Sequence, residues 1–543
     1  MIGAGRSVAV LAALALVVLG SACVRGGATH RASAAAAPQR PATPRLRIVA
    51  TNDFHGRLLP EPVASATGAV GGSALLAAHL DSARAQFDGP VLLLSAGDDL
   101  QGTAISNLSW GAATIASHNA LRYTAAALGN HEFDWGLDTL RARIAESRFP
   151  WLAANLIDSA TGAVPSWVRP WVLLDTMGVR VAIIGAVLPQ TPRIVMADRV
   201  RGLRFTDPAP AIDAAVRAVR RAGADFVVVT MHIGVVCLDA ARAPRETSRD
   251  CTGDAITLAE SVTERVDLYI GGHTHRRVIT TAAGVPLVEA ASYAQAYSVT
   301  DLERHEGTVR VLDQRVEWVT DSGVTANPEV ARLVERWNAT ARPLTDAVVA
   351  ELAEEFSRAL VDSKLGNLVA DAILHATGAE VALVNNGSLR RPLPAGPVTY
   401  GMLYELQPFQ NALVTIDIPG AVLRAALELA VSSGGPRSSV HVAGLRVTVD
   451  PRAERGARVL RLDRADGRPI ADDDTVRVGL TDFVAAGGDY FSMLTPFERR
   501  PVGVVDVDAL VQYLRSRPAP VRAAADVRFR FVTPDSLPLR EAR

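Results

Sequence analysis

Five times between Leu46 and His275 a short apolar run ends in a cluster of Asp, Asn, His and Gly: "LRIVATNDFHG", "VLLLSAGDDLQG", "AAALGNHEFD", "DFVVVTMHIG" and "DLYIGGHTH". Brief apolar runs separated by helical stretches read as strands buried on both faces, the situation of a parallel sheet covered by helices. Polar clusters behind such strands fall on loops at one edge of the sheet, where open α/β folds bind ligands. The pattern predicts a layered α/β fold with its chemistry on those loops.

No cluster is distinctive alone. An isolated D-x-H after a strand is an ordinary turn, and a lone histidine such as His232 is an ordinary core or surface group. Their joint occurrence is different, because five of the 11 histidines, His55, His131, His232, His273 and His275, stand in these clusters behind apolar runs. Carboxylate, imidazole and amide donors suit borderline divalent ions such as Zn²⁺, Mn²⁺ or Fe²⁺, and the lack of thiolates argues against a structural zinc site. So many donors exceed what one ion with an open coordination position can take. Two ions sharing a carboxylate would use them all.

In this order "NDFHG", "GDDLQG", "LGNHEFDWG", "MHIG" and "GGHTH" resemble the calcineurin-like metallophosphoesterase domain of the 5′-nucleotidase family. The resemblance continues in "KLGNLVADA", "NNGSLR", "LQPFQNALV" and "TDFVAAGGDYF". It implies a four-layer α/β/β/α domain followed by a smaller α+β substrate-binding domain. It also implies two divalent ions, zinc, manganese or similar. Asp53, His55, Asp98 and His275 would surround one, and Asp98, Asn130, His232 and His273 the other, with Asp98 as bridge; some relatives carry Gln or Asn where His275 stands. By the same resemblance His131 faces the substrate phosphate and Asp134 holds its ring through the other nitrogen, which fixes the tautomer and raises basicity. Glu132 and Phe133 face away and support the turn. Ions about 3.5 to 4 Å apart would lower the pKa of a bound water and clamp phosphate oxygens, for in-line attack without a covalent intermediate.

In the second domain the resemblance implies that Phe409 and Phe483 sandwich a nucleobase, that Asn385 and Arg390 contact the base or phosphate region, and that Asp489 accepts hydrogen bonds from ribose hydroxyls. The implied activity is hydrolysis of nucleoside 5′-monophosphates, with UDP-sugars and other nucleotides as further candidate substrates. A 2′,3′-cyclic-nucleotide 2′-phosphodiesterase with 3′-nucleotidase activity is the alternative that shares all the metal motifs. From a different class, the alternative is a catalytically silent lipoprotein that captures nucleotides.

At 543 residues the chain is too long for one hydrophobic core. Residues 1–23 read as a lipoprotein-type signal: Arg6, the apolar "VAVLAALALVVLG", too short to span a bilayer comfortably, and "LGSAC", which resembles a lipobox with Cys23 as the acylated residue. A soluble exported form is the alternative. Residues 24–45, rich in Ala, Pro and Arg, read as a tether. The phosphoesterase domain is expected over 46–322, a linker helix over 323–345, the nucleotide-binding domain over 346–532 and a tail over 533–543. The expected location is the periplasm or cell envelope of a bacterium, with the membrane touched only through Cys23. In that oxidising compartment Cys237 and Cys251 can pair, two free thiols being the alternative. A net charge of −1 provides no field for a nucleic-acid polymer. Nothing marks an obligate protein partner. Phosphate chemistry in one domain and base recognition in the other imply a cleft that closes, with Asn327–Pro343 as the hinge region.

Overall fold

The computed structural model describes residues 41, 43–62, 68–239, 243–359, 362–432 and 440–532. The signal segment with Cys23, residues 24–40 of the tether and the 533–543 tail lie outside the described residues.

Strand Arg45–Thr51 pairs in parallel with Val91–Ser95, which is followed across the sheet by Ala125–Ala127 and Trp151–Leu152, also parallel. On its other side the antiparallel strands Ala296–His305 and Thr308–Trp318 complete six strands. A second six-stranded sheet has the order Arg277–Ala282, Val285–Ala290, Leu268–Ile270, Phe226–Met231, Val179–Ala186, Trp171–Thr176. Its four central strands are parallel and its two edges antiparallel.

Side-chain alternation builds the layers. Leu46, Ile48, Ala50, Leu92 and Leu94 share one buried cluster with Val181, Ile183, Phe226 and Val228, so the two sheets pack face to face. The intervening Val49, Leu93 and Ala126 point the other way, into a cluster with Leu76 and Leu80 of helix Ser73–Ala85 and Ile115 of helix Ala112–Leu121. On the far side Ile184, Val227 and Val229 pack against Ile212 and Val216 of helix Pro208–Arg221 and Leu258 of helix Asp254–Ser261. The result is helix, sheet, sheet, helix. Both faces of the central strands are covered, which is why they read as unbroken apolar runs.

The second lobe is built on a five-stranded sheet in the order Val440–Ala443, Val381–Asn385, Thr475–Thr481, Ala412–Pro419, Arg500–Val505. One face carries Val381 and Leu383 into a core with Leu423 and Leu427 of helix Gly420–Ser432. The other carries Ala382 and Val384 against helices Lys364–Thr377 and Asp506–Ser516.

The connecting helix spans Pro328–Thr345. Pro328 occupies its first turn and the Asn327 side chain accepts the Glu329 and Val330 amides, a start that satisfies otherwise orphaned donors. Pro343 lies within the last turn rather than ending the helix. Val330, Val334 and Ala341 enter the core of the first lobe, so this helix is packed as part of that lobe.

Candidate active site

All five polar clusters lie immediately after parallel strands, at one edge of the two facing sheets. The backbone there is unusual. Asp53, His55, Asp98, His273 and His275 all have positive φ, between 50° and 80°. A non-glycine residue in this region costs roughly 1 to 3 kcal/mol and persists only where its surroundings over-determine it, which happens mainly at functional sites. Glycines beside these residues permit the crowding. A Cβ on Gly129 would stand 2.1 Å from the Asp98 carboxylate, so only glycine fits.

The donor atoms converge in two triads, Asp53 with His55 and His275, and Asp98 with His232 and His273, each within 4.8 Å of its own members. Asp53, His55, Asp98 and His232 are all buried at 2% exposure or less. Tautomers are set by backbone carbonyls: His55 Nδ1 donates to Gln101 O at 2.7 Å and His232 Nδ1 to Ala96 O at 2.9 Å. Their Nε2 atoms therefore face inward, His55 toward His275 Nε2 at 3.1 Å and His232 toward the Asp98 carboxylate, Oδ2 at 2.9 Å. The Asn130 side-chain oxygen Oδ1 is buried with no hydrogen-bond partner among the described residues. Inward ring nitrogens, two buried carboxylates and the Asn130 side-chain oxygen form a donor set that fits divalent cations.

Electrostatics divide the two buried histidines: burial opposes the charge of His232, but Asp98 beside it raises that ring to about 10. Although burial opposes its charge, His275 beside it holds Asp53 down at about 2. Burial and the neighbouring His275 push the His55 imidazolium well below its usual range, leaving a neutral ligand-type imidazole. Asp53 also ties the two triads together, its Oδ2 accepting the His273 amide at 2.8 Å while Oδ1 meets His275 Nε2 at 3.1 Å.

His131 belongs to neither triad. Its Nδ1 is 2.7 Å from Asp134 Oδ2, its Nε2 is 4.0 Å from Asp98 Oδ2, and its amide donates to Asp98 Oδ1 at 2.8 Å. Burial works against protonation, but Asp134 and Asp98 outweigh it and raise the ring above its ordinary value. Glu132 is turned inward beneath the loop and accepts the amides of Gly129, Asp98, Asp99 and Leu100 at 2.7 to 3.2 Å. That fourfold contact holds Asp98 in its strained conformation. Phe133 is fully buried in the first-lobe core.

The second lobe closes the site. Asp98, Asn130, His131, Asp134, His273 and His275 line a solvent-open cavity of about 200 Å³, whose opposite wall is Asn385, Arg390, Phe409, Phe483 and Asp489. Phe409 stacks on His131 with ring centroids 5.5 Å apart, and the Arg390 guanidinium lies 5.9 Å from the Phe409 centroid. Asn385 Nδ2 donates to Asp489 Oδ2 at 2.7 Å. Phe483 lines the cavity with one side and packs against the second-lobe core with the other. Across the lobes Arg57 reaches Glu405 at 3.1 Å and Arg391 reaches Glu61 at 3.2 Å.

Other residues around the site come from both inside and outside the sequence motifs. Trp135, Met196 and Arg199 form a side wall, and Tyr293 lies with its ring 5.2 Å from His55 while its amide donates to Asp53 O. Trp135 follows the "GNHEFD" cluster directly and was within reach of the motif, whereas Met196, Arg199 and Tyr293 come from segments with no pattern of their own. Cys237 and Cys251 are bonded, joining the paired strands Val236–Asp239 and Arg249–Thr252 a few residues beyond His232.

Comparison with known proteins agrees with the architecture. Residues 46–277 match the calcineurin-like phosphoesterase family and residues 346–496 the 5′-nucleotidase C-terminal domain. The crystal structure of a 5′-nucleotidase precursor from Thermus thermophilus superimposes with a TM-score of 0.79 at 28% identity, covering 90% of this chain and 99% of that one. A 5′-nucleotidase of Vibrio cholerae is 25% identical over 87% of this chain and 91% of its own length. The endonuclease YhcR of Bacillus subtilis is 27% identical over 88% of this chain, which spans only 40% of that longer protein. With both domains matched in order, and two triads of His and Asp on the loops where the fold places its chemistry, the chain belongs to the 5′-nucleotidase family of metal-dependent phosphoester hydrolases.

Proposed function

We propose that this protein is an exported dimetal 5′-nucleotidase that hydrolyses nucleoside 5′-monophosphates to nucleoside and phosphate. The observation that carries the reading is the meeting of both Asp/His triads with Phe409, Phe483 and Arg390 around one cavity. Asp53, His55 and His275 would hold one ion, and His232, His273 and Asn130 the other, with Asp98 between them. When bound, such a pair of ions supplies a water of lowered pKa and a clamp on phosphate oxygens.

The chain's own side chains supply the rest. His131, whose protonation burial opposes but Asp134 and Asp98 favour, faces the phosphoryl group or the departing ribose oxygen and in its charged form offsets charge there. Arg390, whose charge burial opposes but the nearby Tyr293 and Asp98 favour, adds a cation for the phosphate. Phe409 and Phe483 offer apolar faces to the base, and Asn385 and Asp489 offer polar groups to the ribose edge. Export is supported by the leader-like residues 1–23 and by the Thermus thermophilus relative being a precursor.

The substrate class is tested by product analysis on AMP, UDP-glucose and 2′,3′-cyclic AMP after metal reconstitution. AMP yielding adenosine and phosphate at the highest kcat/KM is the expected result. Preference for the cyclic substrate would replace the reading by the phosphodiesterase and 3′-nucleotidase alternative, and AMP binding without phosphate release would replace it by a silent binder. Phe409→Ala and Phe483→Ala test the base clamp. Stacking is worth about 1 to 3 kcal/mol per base, so each should raise KM for AMP by roughly 5- to 150-fold. Hydrolysis of a small aryl phosphate, which has no base to stack, should stay near the parent rate; equal losses on both substrates would assign the rings to the core.

A further inference from the structure

The turn Gly272–Arg276 supplies one member of each triad, His273 to one and His275 to the other, with Thr274 between them. Both histidines have positive φ, 80° and 57°, so the backbone on either side of Thr274 is strained and something must hold it. Glu289, on strand Val285–Ala290 and fully buried, lies directly behind. Both its oxygens are 2.8 Å from the Thr274 hydroxyl, Oε1 accepts the Arg276 amide at 2.9 Å, and Oε2 accepts the Val235 amide at 3.4 Å. The Thr274 hydroxyl is also 2.8 Å from the Val235 carbonyl. One carboxylate thus pins the turn bearing His273 and His275 and the segment that follows His232.

We infer that Glu289 is the positioning residue that keeps His273 and His275 in register, and so sets the spacing of the two divalent ions. This rests on the dimetal reading above. Glu289 does for the histidines what Glu132 does for Asp98: a buried carboxylate collects donors from a ligand-bearing loop and fixes a strained conformation. A carboxylate is suited to the task because three donors converge on it in a dry interior; an amide would offer one accepting oxygen and turn its N–H groups toward other N–H groups. Thr274 transmits the constraint, since its hydroxyl is the contact lying between the two ligands.

The test uses metal-stripped full-length protein titrated with Mn²⁺ alone, read by equilibrium dialysis and by the electron paramagnetic resonance of the Mn²⁺ pair. Loss of an outer-shell partner typically lowers metal affinity 10- to 100-fold, so Glu289→Ala and Thr274→Val should each weaken both sites by about that factor and lose the exchange-coupled signal. Thr274→Ser, which keeps the hydroxyl, should retain two coupled ions. If Glu289→Ala does not fold, Thr274→Val decides alone. A folded Thr274→Val protein holding two Mn²⁺ with parent affinity and coupling would overturn the inference while leaving the dimetal reading intact. A parent that binds fewer than two Mn²⁺ would overturn that reading, and this inference with it.

Discussion

His131→Ala should lower kcat on AMP by roughly 10²- to 10⁴-fold, the range expected for a positioned general acid, while the number of bound metal ions stays that of the parent. The separation of the two effects follows from the geometry. His131 contributes to neither triad, and its link to Asp98 runs through its backbone amide, which alanine keeps. What alanine removes is the ring poised between Asp134 and the cavity. An aryl phosphate with an acidic leaving group has less need of a proton and should lose less than AMP does. Kinetics on both substrates with metal content measured on the same samples checks this. A variant that had also lost its metals would make His131 a ligand rather than a catalyst.

Asp98→Ala should have the opposite signature, loss of activity together with loss of metal. Asp98 belongs to one triad and also holds the neighbouring turn: its Oδ2 is 2.9 Å from His232 Nε2 and its Oδ1 accepts the His131 amide. Removing it opens one triad, frees the "GNHEFD" turn and takes away the candidate bridge. Metal affinity should fall by more than about 100-fold, beyond the loss typical of an outer-shell partner. The Glu132 contacts to the amides of residues 98 to 100 use backbone only, so the loop should stay folded. Circular dichroism with metal analysis is the check, and an Asp98→Ala protein carrying two ions would remove Asp98 from the site.

Much of this site is written locally in the chain because each polar cluster follows a strand. The strand announces itself as an apolar run and the loop as a knot of Gly, Asp and His, so Asp53, His55, Asp98, Asn130, His232, His273 and His275 are visible one after another. Strand Ala125–Ala127 shows the limit of the same logic. Alanine favours helix, and these residues are extended because Leu94–Ser95 and Trp151–Leu152 pair with them on either side. The antiparallel strands Ala296–His305 and Thr308–Trp318 are likewise fixed by their neighbours.

What stayed hidden acts through tertiary contact. Glu289 stands 14 residues after His275, in a strand whose sequence says nothing of the turn it supports. The carbonyls of Gln101 and Ala96 that orient His55 and His232 are backbone atoms, open to no reading by residue type. The stacking of Phe409 on His131 depends on how two lobes meet, and the Met196 and Arg199 wall on where one loop is laid.

The central claim is that side chains from five strand ends gather a pair of divalent ions at one pocket. Its most direct measurement is to strip the full-length protein of metal and titrate Mn²⁺ back while following bound ion and AMP hydrolysis together. Two ions per chain, no hydrolysis in the stripped protein and full rate only as the second site fills is the predicted result. Undiminished hydrolysis in the stripped protein, or saturation with a single ion, would contradict it.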